Sequence, residues 1–311
     1  MKRTYVLIAS VLLLALAFGI IYFVSTAFVQ TIGAIATTPT LPTEPPTPSP
    51  TPTPSPTPTP PPFIYGEAAY LIDADTGTVI YKQNSNKQLP IASTTKIMTA
   101  VIAIENGDLD EPITIQQSEL DEVPASASVA QLQAGDRIRL RNLLYALMLP
   151  SGSDAAVVIA NYIGGSTTNF VAMMNAKAQA LGMTNTHYSN PHGFSANNHY
   201  SSAADLVKLA RYAMANYSFF DQVVSQQSYV LDATDHNHKY TNWNNTNGLL
   251  GTYDGANGVK TGSSPEAGYC LVFSATRNSH HLIGAELNAP TPDDVMADAT
   301  RMLDKGFATV G

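Results

Sequence analysis

A chain of 311 residues, 44% hydrophobic and 13% charged, has enough apolar material for a substantial core, in one large domain or two modest ones. Its formal net charge of −8 argues against nucleic acid as a partner, because phosphate binders are usually basic. The single cysteine, Cys270, excludes an internal disulfide and cysteine-rich zinc sites.

Lys2 and Arg3 precede an apolar stretch from Tyr5 to about Val24, with no further charge until Glu44. Roughly twenty such residues can cross a bilayer as a helix, whereas a signal-peptide core is usually shorter, about 7–15 residues. The basic pair predicts a cytoplasmic N-terminus and an exported remainder. Ala34-Ile35-Ala36 resembles a cleavage site but lies well beyond the apolar run. Residues 1–36 are therefore expected to be an uncleaved signal-anchor, with secretion after cleavage as the alternative. Residues 37–62 are almost entirely Thr, Pro and Ser. That composition buries little and favours extended polyproline II, a disordered linker reaching roughly 75–80 Å at about 3.1 Å per residue.

Residues 63–311 form one compositionally even region with 14 basic and 23 acidic side chains, a net −9. Ala68 to Ile72 and Thr78 to Tyr81 read as a β-hairpin around Asp73-Ala74-Asp75-Thr76-Gly77. A helix opened by Ser93 is predicted to stop at Asn106-Gly107. Leu143 to Leu149 is apolar and broken by Pro150, and Ser151-Gly152-Ser153-Asp154 starts another apolar helix to about Tyr162. Asn169 to Leu181 and Ala203 to Asn216 read as amphipathic helices. Gly258 to Thr261, Tyr269 to Thr276 and Leu282 to Leu287 have strand composition, and a helix closes the chain from Asp293 to about Lys305. Strands at both ends and helices between predict an α+β fold: one antiparallel sheet built from both ends of the domain, with a helical cluster beside it.

Three clusters carry chemistry. In Ser93-Thr94-Thr95-Lys96 the serine and lysine are three apart, so on a helix they share a face and the hydroxyl can meet the amine. The helix N-terminus adds unsatisfied N–H groups and partial positive charge. A serine nucleophile needs a nearby base and donors for the oxyanion, and lysine serves only if burial or a positive neighbour makes it neutral. Alone, this spacing is better read as a helix cap followed by a solvated lysine. Ser151-Gly152-Ser153 sits at a helix–turn–helix corner, where it either caps a helix or projects a second hydroxyl able to relay a proton. Gly258-Val259-Lys260-Thr261-Gly262-Ser263 reads as an edge strand. There Gly262 would let a substrate backbone approach closely, and Lys260 and Thr261 would offer a cation and a hydroxyl to a carboxylate. An edge lysine that discourages aggregation is the structural alternative. Cys270, in an apolar run, reads as a small buried hydrophobe. The pairs His236/His238 and His280/His281 have no third ligand at metal spacing, and no metal is expected. His192 and His199 read as structural, and Asp205 as a helix cap or ion-pair partner.

S-x-x-K, a serine triplet and K-T-G, in this order, resemble the signature of penicillin-binding proteins and serine β-lactamases. Leu71 to Gly77, Pro90 to Ala100, Asn190-Pro191-His192-Gly193, Asn198-His199-Tyr200-Ser201 and Gly255 to Gly262 extend the resemblance to the D-alanyl-D-alanine carboxypeptidases of the low-molecular-mass penicillin-binding type, across nearly all of residues 63–311. The resemblance implies the β-lactamase/penicillin-binding transpeptidase fold. It also implies that Ser93 attacks the carbonyl between the terminal D-alanines of a peptidoglycan stem peptide and Lys96 takes its proton. Ser151 passes the proton to the departing D-alanine. The N–H groups of Ser93 and Ser263 hold the oxyanion, while Lys260 and Thr261 hold the terminal carboxylate. Water then hydrolyses the acyl-enzyme without a cofactor, and β-lactams inhibit.

Two departures stand out. The family triplet usually ends in Asn, whereas Ser153 has a shorter reach and a single hydroxyl. The chain also ends soon after the catalytic region, so the N-terminal span is expected to anchor it to the cell membrane as a single-pass protein with the domain on the wall side. A β-lactamase and a non-catalytic β-lactam-sensing or wall-binding module are the competing readings. No S-D-N triplet or extra acidic base loop supports the first, and only Ser153 hints at the second.

Overall fold

The computed structural model describes residues 63–310. The apolar run and the Pro/Thr linker expected before them lie outside the described residues, among which no helix is long and apolar enough to cross a membrane. In chain order the elements begin with strands β1 (Ala68–Asp73) and β2 (Val79–Gln83). A 3-10 turn (Ala92–Thr95) leads into helix α1 (Lys96–Asn106), followed by β3 (Pro112–Thr114), α2 (Gln117–Asp121) and β4 (Arg137–Arg139). Helices α3 (Leu140–Met148), α4 (Ser153–Gly164), α5 (Thr167–Ala180), α6 (Ala203–Asn216) and α7 (Ser218–Val224) come next. The chain closes with β5 (Ser228–Leu231), β6 (Tyr240–Asn244), β7 (Ala256–Ser264), β8 (Gly268–Arg277), β9 (His280–Ala289) and α8 (Pro292–Val310).

The main sheet runs β2-β1-β9-β8-β7, every pairing antiparallel. Both ends of the domain supply it, as expected, and β7 lies at its edge. The β1–β2 hairpin turns where Asp73 Oδ1 accepts the Thr76 N–H at 2.8 Å and the Thr76 hydroxyl at 3.0 Å. These bonds, with the backbone bond first, hold the Asp73 carboxyl below its ordinary range. Gly77 supplies the left-handed φ of +77° that closes the turn.

Helices cover the sheet on two faces rather than one. Along β8, Cys270 and Val272 join the core shared with α1, α4 and α6, while Leu271, Phe273 and Ala275 join a second core with Val295, Met302 and Leu303 of α8. That split follows the two-residue period of a strand. It also explains why these strands read as continuous apolar runs instead of alternating ones. Cys270 is buried there, and burial pushes its thiol up to about 12. Helix α1 is buried from Lys96 through Ala103, so apolar residues surround it rather than forming a stripe.

Two β-ribbons, β3–β4 and β5–β6, and the short helices α2 and α7 are absent from the sequence expectations. At three to seven residues each, they are too short to show a period.

Candidate active site

The helix expected to open at Ser93 begins three residues later. Ser93 lies within the 3-10 turn, and Lys96 is the first residue of α1. The tighter winding of a 3-10 turn brings i and i+3 nearly into register, so the proximity survives the change of helix type: Lys96 Nζ is 2.9 Å from Ser93 Oγ. The same amine donates to the His192 carbonyl at 2.8 Å and lies 3.3 Å from Ser153 Oγ.

Lys96 is fully buried. Its pKa is held well below the usual lysine range, first by burial and then by the neighbouring Lys260 charge, with Asp154 opposing. A buried, neutral amine beside a hydroxyl can accept its proton.

The turn is braced from below. Thr95 Oγ1 donates to the Ala92 carbonyl at 2.8 Å and meets His199 Nε2 at 2.7 Å, while His199 Nδ1 accepts the Ser189 N–H at 3.0 Å. Burial lowers His199 to about 4. His192 falls to about 3, through burial first and then the Lys96 and His199 charges. Both rings are therefore neutral near pH 7 and act as fixed hydrogen-bond partners, in keeping with a structural reading. Thr99 Oγ1 donates to Pro191 O at 2.5 Å, tying α1 to the segment that presents the His192 carbonyl.

Of the two serines at the α3–α4 corner, Ser153 reaches the lysine and Ser151 does not. Ser151 adopts a left-handed φ of +63°, which turns the chain so that α4 starts at Ser153 facing α1. The Ser151 hydroxyl makes no hydrogen bond among the described residues, although the residue lines the cleft beside Ser93. Its carbonyl accepts Ser128 Oγ at 2.9 Å, and Ser128 O accepts the Ser153 N–H at 2.8 Å. Asp154 completes the clamp by accepting the Ala130 and Leu132 N–H groups at 2.8 and 3.0 Å. The loop around Ser128 is thereby pinned over the site.

Strand β7 forms the opposite wall. Lys260 is 1% exposed, donates to the Thr261 carbonyl at 3.1 Å, and has no ion pair among the described residues. Burial lowers its pKa to about 7. The Thr261 and Thr246 hydroxyls are hydrogen-bonded to each other, and Ser263 is exposed.

Gly262 differs from expectation in what it approaches. A Cβ there would lie 2.9 Å from Ile91 O, 2.9 Å from Ser93 N and 3.0 Å from Thr94 N. Its bareness lets the strand lie flush against the Ser93 turn, and that contact sets the distance between the groove walls. Gly262→Ala is therefore expected to displace the turn and slow acylation of Ser93 about 100-fold. The measurement is the rate of covalent labelling by a fluorescent penicillin, with circular dichroism unchanged.

Two cavities meet at Ser93, Ser128 and Ser263. One, of about 280 Å³, holds Ser151, Thr246 and Thr261; the other, of about 420 Å³, holds Ser153, His192, Ser195 and Glu266. Together they form a groove running past the Ser93 hydroxyl in both directions. The fixed donors and the buried amine, shifted toward its neutral form, suit attack on a carbonyl lying across Ser93. Among the described residues no group of three or more His, Cys, Asp or Glu is placed to hold a metal ion. His238 instead pairs with the buried Asp136 at 2.7 Å. Asp205 accepts the Asn185 N–H and the Thr186 hydroxyl at 2.8 and 2.9 Å.

The family model described as D-alanyl-D-alanine carboxypeptidase matches residues 55–291. The D-alanyl-D-alanine carboxypeptidase of Streptomyces sp. (strain K15) is 41% identical over 259 residues, 79% of this chain and 89% of that one. DacF of Bacillus subtilis, of the same description, is 36% identical over 244 residues; the match covers 78% of this chain and 62% of DacF. The solved structure of the Streptomyces K15 DD-transpeptidase superposes with a TM-score of 0.75 at 42% identity, covering 79% of this chain and 98% of that one.

Proposed function

The chain belongs to the D-alanyl-D-alanine carboxypeptidase family, and on that premise we propose that it removes the terminal D-alanine from peptidoglycan stem peptides through an acyl-enzyme on Ser93, with β-lactams as inhibitors. One observation carries the assignment of roles: a buried Lys96 amine, its pKa held well below the lysine range by burial, stands 2.9 Å from the Ser93 hydroxyl at the junction of two cavities.

The Ser93 oxygen attacks the carbonyl of the penultimate D-alanine as its proton moves to Lys96. The oxyanion is held by the N–H groups of Ser93 and Ser263, which border the groove from the turn and from the strand. Lys96 returns the proton to the leaving nitrogen, the C–N bond breaks, and free D-alanine departs. Ser153, within reach of the amine, takes the relay position that the sequence pattern gives to Ser151. Ser151 lines the leaving-group side. The terminal carboxylate lies in the smaller cavity against Thr261 and Thr246, near the Lys260 charge. The rest of the peptide follows the open edge of β7 as an added strand. Water then cleaves the ester with Lys96 as base.

A second fate for the same acyl-enzyme, transfer to an amine, has one specific support, the description of the solved neighbour as a DD-transpeptidase. The test incubates the protein with a peptide ending in D-Ala-D-Ala, with and without glycylglycine, and separately with labelled penicillin. D-alanine release with a stable penicillin adduct supports the reading. Rapid drug turnover would make it a β-lactamase, and labelling without D-alanine release would make it a sensor.

The domain is further proposed to be held at the cell membrane, on the wall side, by the apolar run from Tyr5 to about Val24, at the end of the Pro/Thr linker. Protease protection of intact cells, with recovery of the protein in the membrane fraction, tests this.

A further inference from the structure

The larger cavity is bordered by an exposed charged group that the chemistry at Ser93 does not use. Glu266 stands at its rim, on the turn between β7 and β8, across from the segment that carries His192 and Ser195. One of its carboxylate oxygens, Oε2, accepts both the Ser195 hydroxyl at 2.5 Å and the Ser264 hydroxyl at 3.0 Å. Ser264 Oγ is itself fixed by accepting the Ala267 N–H at 3.0 Å. The other oxygen, Oε1, has no hydrogen-bond partner among the described residues, and Glu266 takes part in no ion pair among them.

Two hydroxyls from opposite walls thus hold the carboxylate by one oxygen and leave the other free. The same bonds keep its pKa below the ordinary glutamate range, so it is ionised near pH 7. The remaining ionisable groups bordering the cavity are unlike it, since His192 is buried and neutral.

If the terminal carboxylate occupies the Thr261 side of Ser93, the acyl portion of the substrate must lie in this larger cavity. We infer that Glu266 recognises a free side-chain ammonium on the residue that precedes the two D-alanines, and so selects stem peptides whose diamino acid is not acylated. This rests on the stem-peptide reading above and adds a specificity residue to it. The physical ground is charge complementarity along the groove. Its leaving-group end is served by a lysine and two threonine hydroxyls and suits an anion. Its acyl end carries the exposed Glu266 carboxylate, oriented by two hydroxyls and without an ion pair among the described residues, and suits a cation. A peptide with a carboxylate at one end and an ammonium toward the other can bind in one direction only. An already cross-linked stem, whose amine has become an amide, loses this contact.

The test compares Nα-acetyl-L-Lys-D-Ala-D-Ala with its Nα,Nε-diacetyl counterpart, using the full chain and following D-alanine release. The unaltered protein is expected to favour the free amine about two- to fivefold in kcat/KM, the size of effect given by an exposed ion pair. Glu266→Gln should bring the ratio of the two substrates to about one. Glu266→Lys should invert it, and added salt should weaken the wild-type preference. Penicillin labelling of each variant reports that the groove is intact. Equal rates on the two peptides in the unaltered protein, or a Glu266→Gln ratio unchanged from it, would overturn the inference alone. Release from neither peptide would instead overturn the carboxypeptidase reading beneath it.

Discussion

Ser93→Ala is expected to eliminate covalent labelling by penicillin and to reduce D-alanine release by about 10⁵–10⁶-fold, the scale seen when a serine hydrolase loses its nucleophile. Among the described residues no other hydroxyl lies as close to the Lys96 amine. Ser153 lies 3.3 Å from the same lysine, but it is 3% exposed and sits on the first turn of α4 rather than where the two cavities meet. The variant should fold. The Ser93 side chain is linked only to Lys96 among the described residues, and the turn beneath it is held by Thr94, Thr95 and His199. A melting temperature within about 2 °C of the parent, together with absent labelling, is the expected pair of results. Labelling that persisted in Ser93→Ala would remove Ser93 from the mechanism.

Lys96→Met, which keeps the length and removes the base, is expected to slow acylation about 10⁴-fold while leaving Ser93 in place. The sign of the pH dependence follows from the two lysines. Lys96 must be neutral to accept a proton, so kcat/KM rises as it deprotonates, and burial with Lys260 repulsion places that limb well below the ordinary lysine range. In the proposed mechanism Lys260 must be charged to attract the carboxylate, so kcat/KM falls again as it loses its proton near pH 7. A bell results. Bound substrate carries an anion to Lys260 and raises its pKa, so the falling limb should move to higher pH in kcat. Lys260→Gln should remove the falling limb and shift the rising limb upward, since it deletes the repulsion that helps to depress Lys96. A rising limb in the native protein near pH 10 would contradict a neutral resting lysine.

The parts of this site legible in the sequence are those fixed by local geometry. Ser93 and Lys96 meet because three residues make one turn, whether α or 3-10. The edge position of Lys260 and Thr261 follows from strand composition at the end of an α+β chain. The hairpin at Asp73–Thr78 was signalled by its aspartates and Gly77. What the sequence hid depends on contacts between distant segments. Whether Ser151 or Ser153 faces the lysine is decided by a single left-handed φ at Ser151, at a residue type that gives no warning of it. The role of Gly262 depends on the turn that packs against it, about 170 residues earlier in the chain. The His192 carbonyl that fixes the Lys96 amine is backbone, and backbone acceptors leave no trace in residue type. Glu266 carried no motif at all. Its oriented carboxylate appears only when Ser195 and Ser264 are brought together.

Because β1 pairs with β9, from Ala68 opposite Leu287 to Asp73 opposite Leu282, the first strand of the domain remains without one of its neighbours until almost the whole polypeptide has been made. Strand β7, which walls the groove, also arrives late. During synthesis the nucleophile and its base therefore exist without a completed groove until β7 has been made. Such long-range closure is slow by nature. A serine enzyme built this way becomes competent only once its last strands have paired.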